Sequence, residues 1–558
     1  FFNGNDATFL ALEDSIAATI FAFNTWVGAN DPAGGLHLAA GMYNTGGNSD
    51  YRQGGAGTAR RDFERVWAVS RSEIRSLRED FRLDNNLNNP VPFDLLTWPA
   101  RGNPHLRYNL DFSPVSTDPD LFPAPFVDVD SDGIYDVYNG DYPVIKGERM
   151  AWWLFTDSTD HTVSHGNPLV FDFQALAYTF DCDQNPAVET SLFLEYTIVN
   201  RSGNDYTNAF LGFYTDPDLG CHLDDYIGTA PQADSWYVYN ADAVDETCLG
   251  IQGFGSKVPV QSISFLNRSL DLSIYMANPI PGNPPLGIPI DPSTPSEYAH
   301  FLRGDFTITR GGSGFNNAST DTVRHIFLDN PSDPQGWSMC SESFPQGDWR
   351  FVNSHGPFQL GANDTFVMQL AFTRHSDIQH PCPDIFGLVV PPLQQLKQWN
   401  ADGEIELQPD LAPVYTLGPG QTLELDASVP GAGYAWSTGS SSPVLTVSMP
   451  GNYTVTITGA TGCERVENIF VQSGTGADEP AALQNWKLWP NPARDRVYID
   501  CPDCDAATLQ TTLYNAQGRL LSRSSGAVVG LQALPAGVYW LEVRDAWNWL
   551  GVRRVLVQ

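Results

Sequence analysis

"SLFLEYTIVNRSGNDYTNAFLGFYTD", Ser191 to Asp216, is the stretch on which the fold turns. Its two ends alternate apolar and polar residues with a period of two, as a strand with one buried face requires. Between them, Asn200-Arg201-Ser202-Gly203-Asn204 collects the short polar side chains and the glycine of a turn. The same alternation recurs in "LVFDFQALAYTF" (169–180), "SWYVYNAD" (235–242) and "DTFVMQLAFTR" (364–374). Residues 150–400 are therefore expected to form an antiparallel β-sandwich body. Two segments predict helices. One is "SRSEIRSLREDF" (70–81), which opens on the capping box Ser70 to Glu73, and the other is Leu393 to Trp399.

Composition agrees with a mainly β, multi-domain protein with few helices. A chain of 558 residues is too long for one core and predicts roughly three or four domains. Its 49 glycines and 41 prolines are spread along the chain, which suits many short strands joined by turns. No apolar run reaches the roughly 18 residues of a membrane span. The chain opens at Phe1 without a basic, apolar leader, so a signal peptide, if one existed, is expected to have been removed.

Charge narrows the partners. The net charge is -35, and the last 73 residues hold eight basic and six acidic side chains, so the deficit lies in the preceding body. Such a body repels phosphate backbones, which excludes nucleic acid and favours divalent cations. The eight cysteines (182, 221, 248, 340, 382, 463, 501 and 504) are widely spaced and form no paired zinc pattern. Disulfides in an oxidising compartment are expected, with pairings left open. Cys501-Pro-Asp-Cys504 follows a strand and opens no helix, so a local disulfide closing a hairpin loop fits better than a redox motif.

"DVDSDGIYD", Asp128 to Asp136, puts four carboxylates in nine residues. A calcium ion wants six to eight oxygens, and side chains at positions 1, 3 and 5 converge only where the chain turns sharply. Asp128, Asp130 and Asp132 occupy those positions, Gly133 permits the turn, Ile134 offers its carbonyl and Asp136 closes the loop. Position 12 is Asn139, where an EF-hand has Glu, and prolines bracket the segment. The loop instead resembles those of β-propeller and thrombospondin-type repeats, with Ca2+ in a structural role. Asp216, Asp218, Asp224 and Asp225 form a second acidic cluster, read either as a second cation site or as a solvated acidic loop.

Chemistry of turnover is less visible. His161 and His165 lack a third ligand nearby, and no zinc-protease, nucleophile-elbow, phosphate-loop or dinucleotide motif occurs. No catalytic residue is nominated, although carboxylate pairs distant in sequence leave a hydrolase open. Trp152-Trp153 and Trp547/Trp549 could stack on sugars, but core or interface positions are the commoner use. Ser15, Ser158 and Thr322 sit in Asp-Ser/Thr-apolar triplets that match a bacterial O-glycosylation pattern.

The carboxyl end carries a resemblance. Trp489-Pro490-Asn491-Pro492-Ala493, the hairpin Tyr514 to Arg519 with Gly518, Leu534-Pro535-Ala536-Gly537-Val538-Tyr539, and Val555 to Gln558 follow one another in a small β-sandwich over 486–558. In this order they resemble the type A C-terminal sorting domain of the type IX secretion system of the Bacteroidota. The resemblance implies recognition by the translocon and its outer-membrane shuttle. It also implies removal by a sortase and attachment to surface lipopolysaccharide, hence a cell-surface or extracellular location. The Cys501/Cys504 loop departs from the motif. Residues 412–472 resemble an Ig-like or PKD-like β-sandwich module with Trp436 in its core and Tyr453 as corner tyrosine, and 473–485 reads as a flexible linker. Upstream, "FERVWAVSRSEI", "TWPARGNPH", "AWWLFTD" and "DPDLGCHLDDYIG" resemble large surface proteins that end in such sorting domains.

The expected organisation is thus an N-terminal region with a short helix and the calcium loop (1–149), the body (150–400), the Ig-like module, the linker and the sorting domain. A calcium-stabilised, non-enzymatic structural protein that self-associates or binds other surface proteins is the leading expectation. An adhesin or carbohydrate-binding protein is the alternative, and a secreted hydrolase comes third.

Overall fold

The computed structural model describes residues 9–10, 17–43, 48–58, 63–84, 86–106, 121–182, 184–278, 287–402, 407, 409, 411, 414–418, 420–473, 487–501, 509–515, 520–532, 534–544 and 549–557. The chain divides into two compact units, one of residues 1–413, 426–445 and 453–468, the other of 414–425, 446–452 and 469–558.

The first unit is built on antiparallel strands. They are β1 (Ala22–Asn30), β2 (Leu36–Ala40), β3 (Arg52–Gln53), β4 (Trp67–Ser70), β5 (Arg149–Thr156), β6 (Phe171–Thr179), β7 (Ser191–Asn200), β8 (Tyr206–Asp216), β9 (Asp225–Ala230), β10 (Ser235–Asn240), β11 (Val260–Phe265), β12 (Leu272–Ala277), β13 (Trp349–Leu360) and β14 (Thr365–His375). Nine form one sheet in the order β9-β10-β11-β14-β7-β6-β5-β3, with β4 also on β5, and five form another in the order β12-β13-β8-β1-β2. The two sheets meet through aromatic rings. Phe23 and Phe213 of the smaller sheet face Phe372, Tyr196 and Phe265 of the larger, at centroid distances of 4.8, 5.9 and 5.7 Å. Offset and edge-on ring contacts of this kind add to what apolar burial already supplies.

The turn at 200–204 joins strands that do not pair with each other. Strand β7 lies between β6 and β14, while β8 lies between β13 and β1. The turn carries the chain from one sheet to the other, and the β13–β14 connection does the same. Asn200 ties the two crossings. It is fully buried, and its amide donates to the carbonyls of Asn204 (2.8 Å) and Gly361 (3.0 Å). Its side-chain oxygen accepts from Ser202 N at 3.0 Å.

The border expected at 149/150 does not separate two sheets. Strand β1 pairs with β8 (Thr25 opposite Phe213), and β3 and β4 pair with β5 (Trp67 opposite Trp152). A body closed only from residues 150–400 would leave those edges bare, and the early strands cover them. Trp152 is buried, packing 5.8 Å from Trp67, so it has no face for a sugar.

Helix α1 (Arg71–Asp84) begins where the capping box places it: Ser70 N donates to Glu73 Oε2 at 2.8 Å and Glu73 N to Ser70 Oγ at 3.2 Å. A helix absent from the sequence reading, α2 (Pro295–Arg303), has its own box at Thr294 and Glu297. It lies on the outer face of the smaller sheet, with Tyr298 4.7 Å from Trp26. Leu302 comes so near β8 that a Cβ on Gly212 would stand 2.5 Å from its Cδ2. Helix α3 (Val390–Asp402) covers the expected 393–399 segment.

Residues 414–473 form β15 (Val414–Leu417), β16 (Leu423–Asp426), β17 (Gly433–Trp436), β18 (Val444–Val447), β19 (Gly451–Thr458) and β20 (Glu464–Ser473). Their sheets run β15-β20-β19-β17 and β16-β18, with β15 parallel to β20. Trp436 is buried, its indole donating to Ser442 O at 2.8 Å. Cys463 pairs with Cys182, Cys221 with Cys248 and Cys340 with Cys382. Cys501 is also disulfide-bonded, while Cys504 and most of the 473–485 linker lie outside the described residues.

The carboxyl end supplies β21 (Lys487–Trp489), β22 (Arg496–Asp500), β23 (Gln510–Asn515), β24 (Leu520–Ser525), β25 (Val528–Gly530), β26 (Gly537–Arg544) and β27 (Trp549–Val557). They make a three-stranded sheet, β21-β22-β25, and a four-stranded one, β24-β23-β26-β27. Val497, Leu513, Val529, Leu541 and Val555 are among the buried residues of their common core.

Two outcomes check this architecture. Peptide mapping without reductant should recover a Cys182–Cys463 cross-linked peptide. Gly212→Val should lower unfolding stability by about 1–3 kcal/mol through overpacking, and Leu302→Ala in the same chain should return part of that loss in a urea melt.

Candidate metal centres and the C-terminal motif

The 128–136 loop is shaped by its own carboxylates. Asp128 accepts from Gly133 N (2.8 Å) and Asp132 N (3.2 Å), Asp132 from Ile134 N (2.7 Å), and Asp136 from Tyr138 N (2.9 Å). Gly133 takes a φ of 78°, which a glycine adopts without strain. Tyr135 N donates to Arg101 O at 2.9 Å, and the buried Tyr135 hydroxyl donates to Leu95 O at 2.6 Å. The loop is thus pinned to the 95–101 segment.

A residue the sequence reading left out completes the group. Asp128, Asp130 and Asp141 bring one carboxylate oxygen each within 4.8 Å of one another. Asp132 and Asp136, nominated as ligands, stand outside this group; each gives one oxygen to the backbone N–H two residues ahead. Asp141 is fully buried and accepts from Val129 N (2.8 Å) and Asp136 N (2.9 Å). Burial raises its carboxyl above the ordinary range against the pull of those donors, and Asp130 and Asp128 raise it further. The stretch "YNGDY" gave no ligand spacing to find it by; only the turn at Gly140 returns Asp141 to the loop.

The second nominated cluster separates into two. Asp216 and Asp218 join Asp348, whereas Asp224 joins Asp242 and Glu246, with Asp225 beside it in β9. The first group already encloses a cation. Arg350 reaches Asp216 Oδ1 at 3.4 Å and Asp291 Oδ2 at 2.6 Å, and Tyr43 donates its hydroxyl to Asp216 Oδ2. Burial pushes the Asp216 carboxyl up to about 7, opposed chiefly by Arg350. Asp224 is likewise pushed up to about 7, by burial first and then by Asp245, Asp242 and Glu246.

His161 is buried and holds backbone: one ring nitrogen lies 2.8 Å from Leu38 O and the other 2.9 Å from Asp157 O. Ser158 is half-buried, Thr322 is exposed on a short strand (Thr322–Val323), and Ser15 lies outside the described residues.

The C-terminal motif residues have structural work. Asn491 donates to Arg554 O and accepts from Leu556 N, both at 2.8 Å, clasping β27. Pro490 and Pro492 flank it. Tyr539, buried on β26, donates its hydroxyl to Pro535 O at 2.8 Å across Gly537. Gly518 lies outside the described residues.

Residues 487–558 match the family profile of the secretion system C-terminal sorting domain. No curated protein sequence matches the chain. Similar solved structures include domains 3 and 4 of rat CD4, at 11% identity and a TM-score of 0.11, covering 26% of this chain and 98% of that one. A polysaccharide lyase matches at 10% identity and a TM-score of 0.17, over 54% of this chain and 34% of its own. Dimeric latent PorU from Porphyromonas gingivalis matches at 10% identity and a TM-score of 0.10, over 60% and 34%. The sorting domain marks the chain for export through the type IX system to the cell surface or extracellular space. Among the described residues, no helix is long and apolar enough to cross a membrane.

The raised carboxyls set a pH dependence. Asp216 and Asp224 bind protons in the fold up to about pH 7, against about 3.9 when unfolded. The stability they contribute is full below the unfolded value and is lost as pH rises through 7. In excess chelator, the melting temperature is therefore expected to be higher at pH 5 than at pH 8, as calorimetry would show.

Proposed function

We propose that the chain is a calcium-stabilised structural protein of the cell surface or extracellular medium, without catalytic turnover. The observation that carries this reading is the convergence of Asp128, Asp130 and Asp141 in a loop pinned to the body. Three negative oxygens this close repel strongly unless a cation lies between them. All the donors are carboxylates, the set a hard cation takes. Asp132 and Asp136 support the loop by shaping its backbone, and Gly133 by turning it.

The ion's role follows from where the loop is anchored. Holding Asp128 to Asp141 closes the segment between the short strands Phe126–Val127 and Tyr142–Pro143, and through Tyr135 it steadies the 95–101 segment that packs Trp98 beside Trp152. Disulfides and an acidic surface suit the same extracellular setting. The machinery of type IX secretion is the first partner. Attachment to surface lipopolysaccharide, self-association and contact with other surface proteins follow export.

Differential scanning calorimetry of the full chain tests the reading. A free calcium concentration of 100 times the dissociation constant adds about 2.7 kcal/mol to the folded state. Excess EDTA should therefore lower the melting temperature, calcium should restore it, and Asp130→Asn should shrink the difference. A melt indifferent to chelator would sink it.

A further inference from the structure

Asp224 departs from a rule that the other buried aspartates follow. Asp50 accepts from the backbone of Ala40, Val163 and Ser164. Asp157 accepts from Leu169 and Phe171, and Asp245 from Cys221 and Phe254. Asp225 accepts from Leu219. Asp224 is only 7% exposed, yet neither of its oxygens has a hydrogen-bond partner among the described residues. A carboxylate removed from water with no donor is the costliest arrangement a polar side chain can take.

The surroundings are oxygen-rich. Asp242 and Glu246 place carboxylate oxygens within 4.8 Å of Asp224. Asp225 Oδ1 and Asn240 Oδ1, both on fully buried residues, also lack partners among the described residues. Strand register explains the convergence. Asp225 opens β9 directly opposite Asn240, which closes β10, and Ala241 N donates to Asp224 O at 2.8 Å. The turn beyond β10 then carries Asp242 and Glu246 back over the start of β9. The Cys221–Cys248 disulfide encloses all five residues in one covalent loop.

We propose that Asp224, Asp242 and Glu246 form a binding site for a hard divalent cation, calcium in an extracellular setting. The site is independent of the 128–141 loop. Irregular, all-oxygen donor sets with several protein carboxylates suit calcium, whereas magnesium keeps more of its water. The ion supplies the positive charge that Arg350 supplies to Asp216, and it closes the loop that the disulfide closes covalently.

Terbium, a luminescent stand-in for calcium, reads the site directly, because Tyr226 and Tyr239 adjoin Asp225 and Asn240 and can sensitise it, their rings 5.8 Å apart. Titration of the full chain should show tyrosine-sensitised emission that calcium displaces. Asp224→Asn should abolish that component, and Glu246→Gln, a change on an exposed side chain that leaves the core intact, should weaken it about tenfold. Asp130→Asn should leave it in place; if Asp130→Asn alters nothing at all while Asp224→Asn removes a site, the loop reading fails and this one stands. In chelator, Asp224→Asn should melt higher than the parent chain, because it removes a buried carboxyl without a partner, and in calcium it should lose the parent's gain. Unchanged terbium emission in both Asp224→Asn and Glu246→Gln would overturn the assignment.

Discussion

A carboxylate leaves water only if something replaces the water. That constraint governs this chain more than any other, because the first unit buries many aspartates while carrying few basic residues with which to pair them. The fold answers in three ways. Backbone amides converge on Asp50, Asp141, Asp157 and Asp245. A guanidinium, Arg350, holds Asp216 and Asp291. At Asp224 neither is supplied, and there the proposed divalent cation would take their place.

These answers depend on the sandwich that positions them. The aromatic layer of Phe23, Phe213, Tyr196, Phe265 and Phe372 sets the spacing of the two sheets. Asn200 joins the two sheet-crossing turns at one end of the strands. The acidic groups sit at strand ends and in the loops beyond them: Asp216 at the end of β8, Asp225 at the start of β9, Asp348 just before β13. Rigid strands present these carboxylates at fixed separations, which is what makes crowding among them expensive and a cation effective.

The C-terminal residues work under a different constraint. Their unit is nearly neutral in charge, and the motif side chains hold strands: Asn491 clasps β27 and Tyr539 reaches back to Pro535. An address read by export machinery needs a folded surface, and these bonds explain why those residue types stand at those positions.

Much of this was legible in the chain by itself. Period-two alternation identified the strands of the body, Ser70 and Glu73 marked the start of α1, and four ordered motifs identified the sorting domain. These features are local, encoded within a few residues of one another. What only the tertiary structure decided is long-range: that Trp67 pairs with Trp152, that Cys182 meets Cys463, that Asp141 joins Asp128 and Asp130 at the loop, and that Asp216 and Asp224 belong to different groups. The physical reason is that a carboxylate's partners are set by strand register and sheet crossing, and sequence spacing carries no record of either.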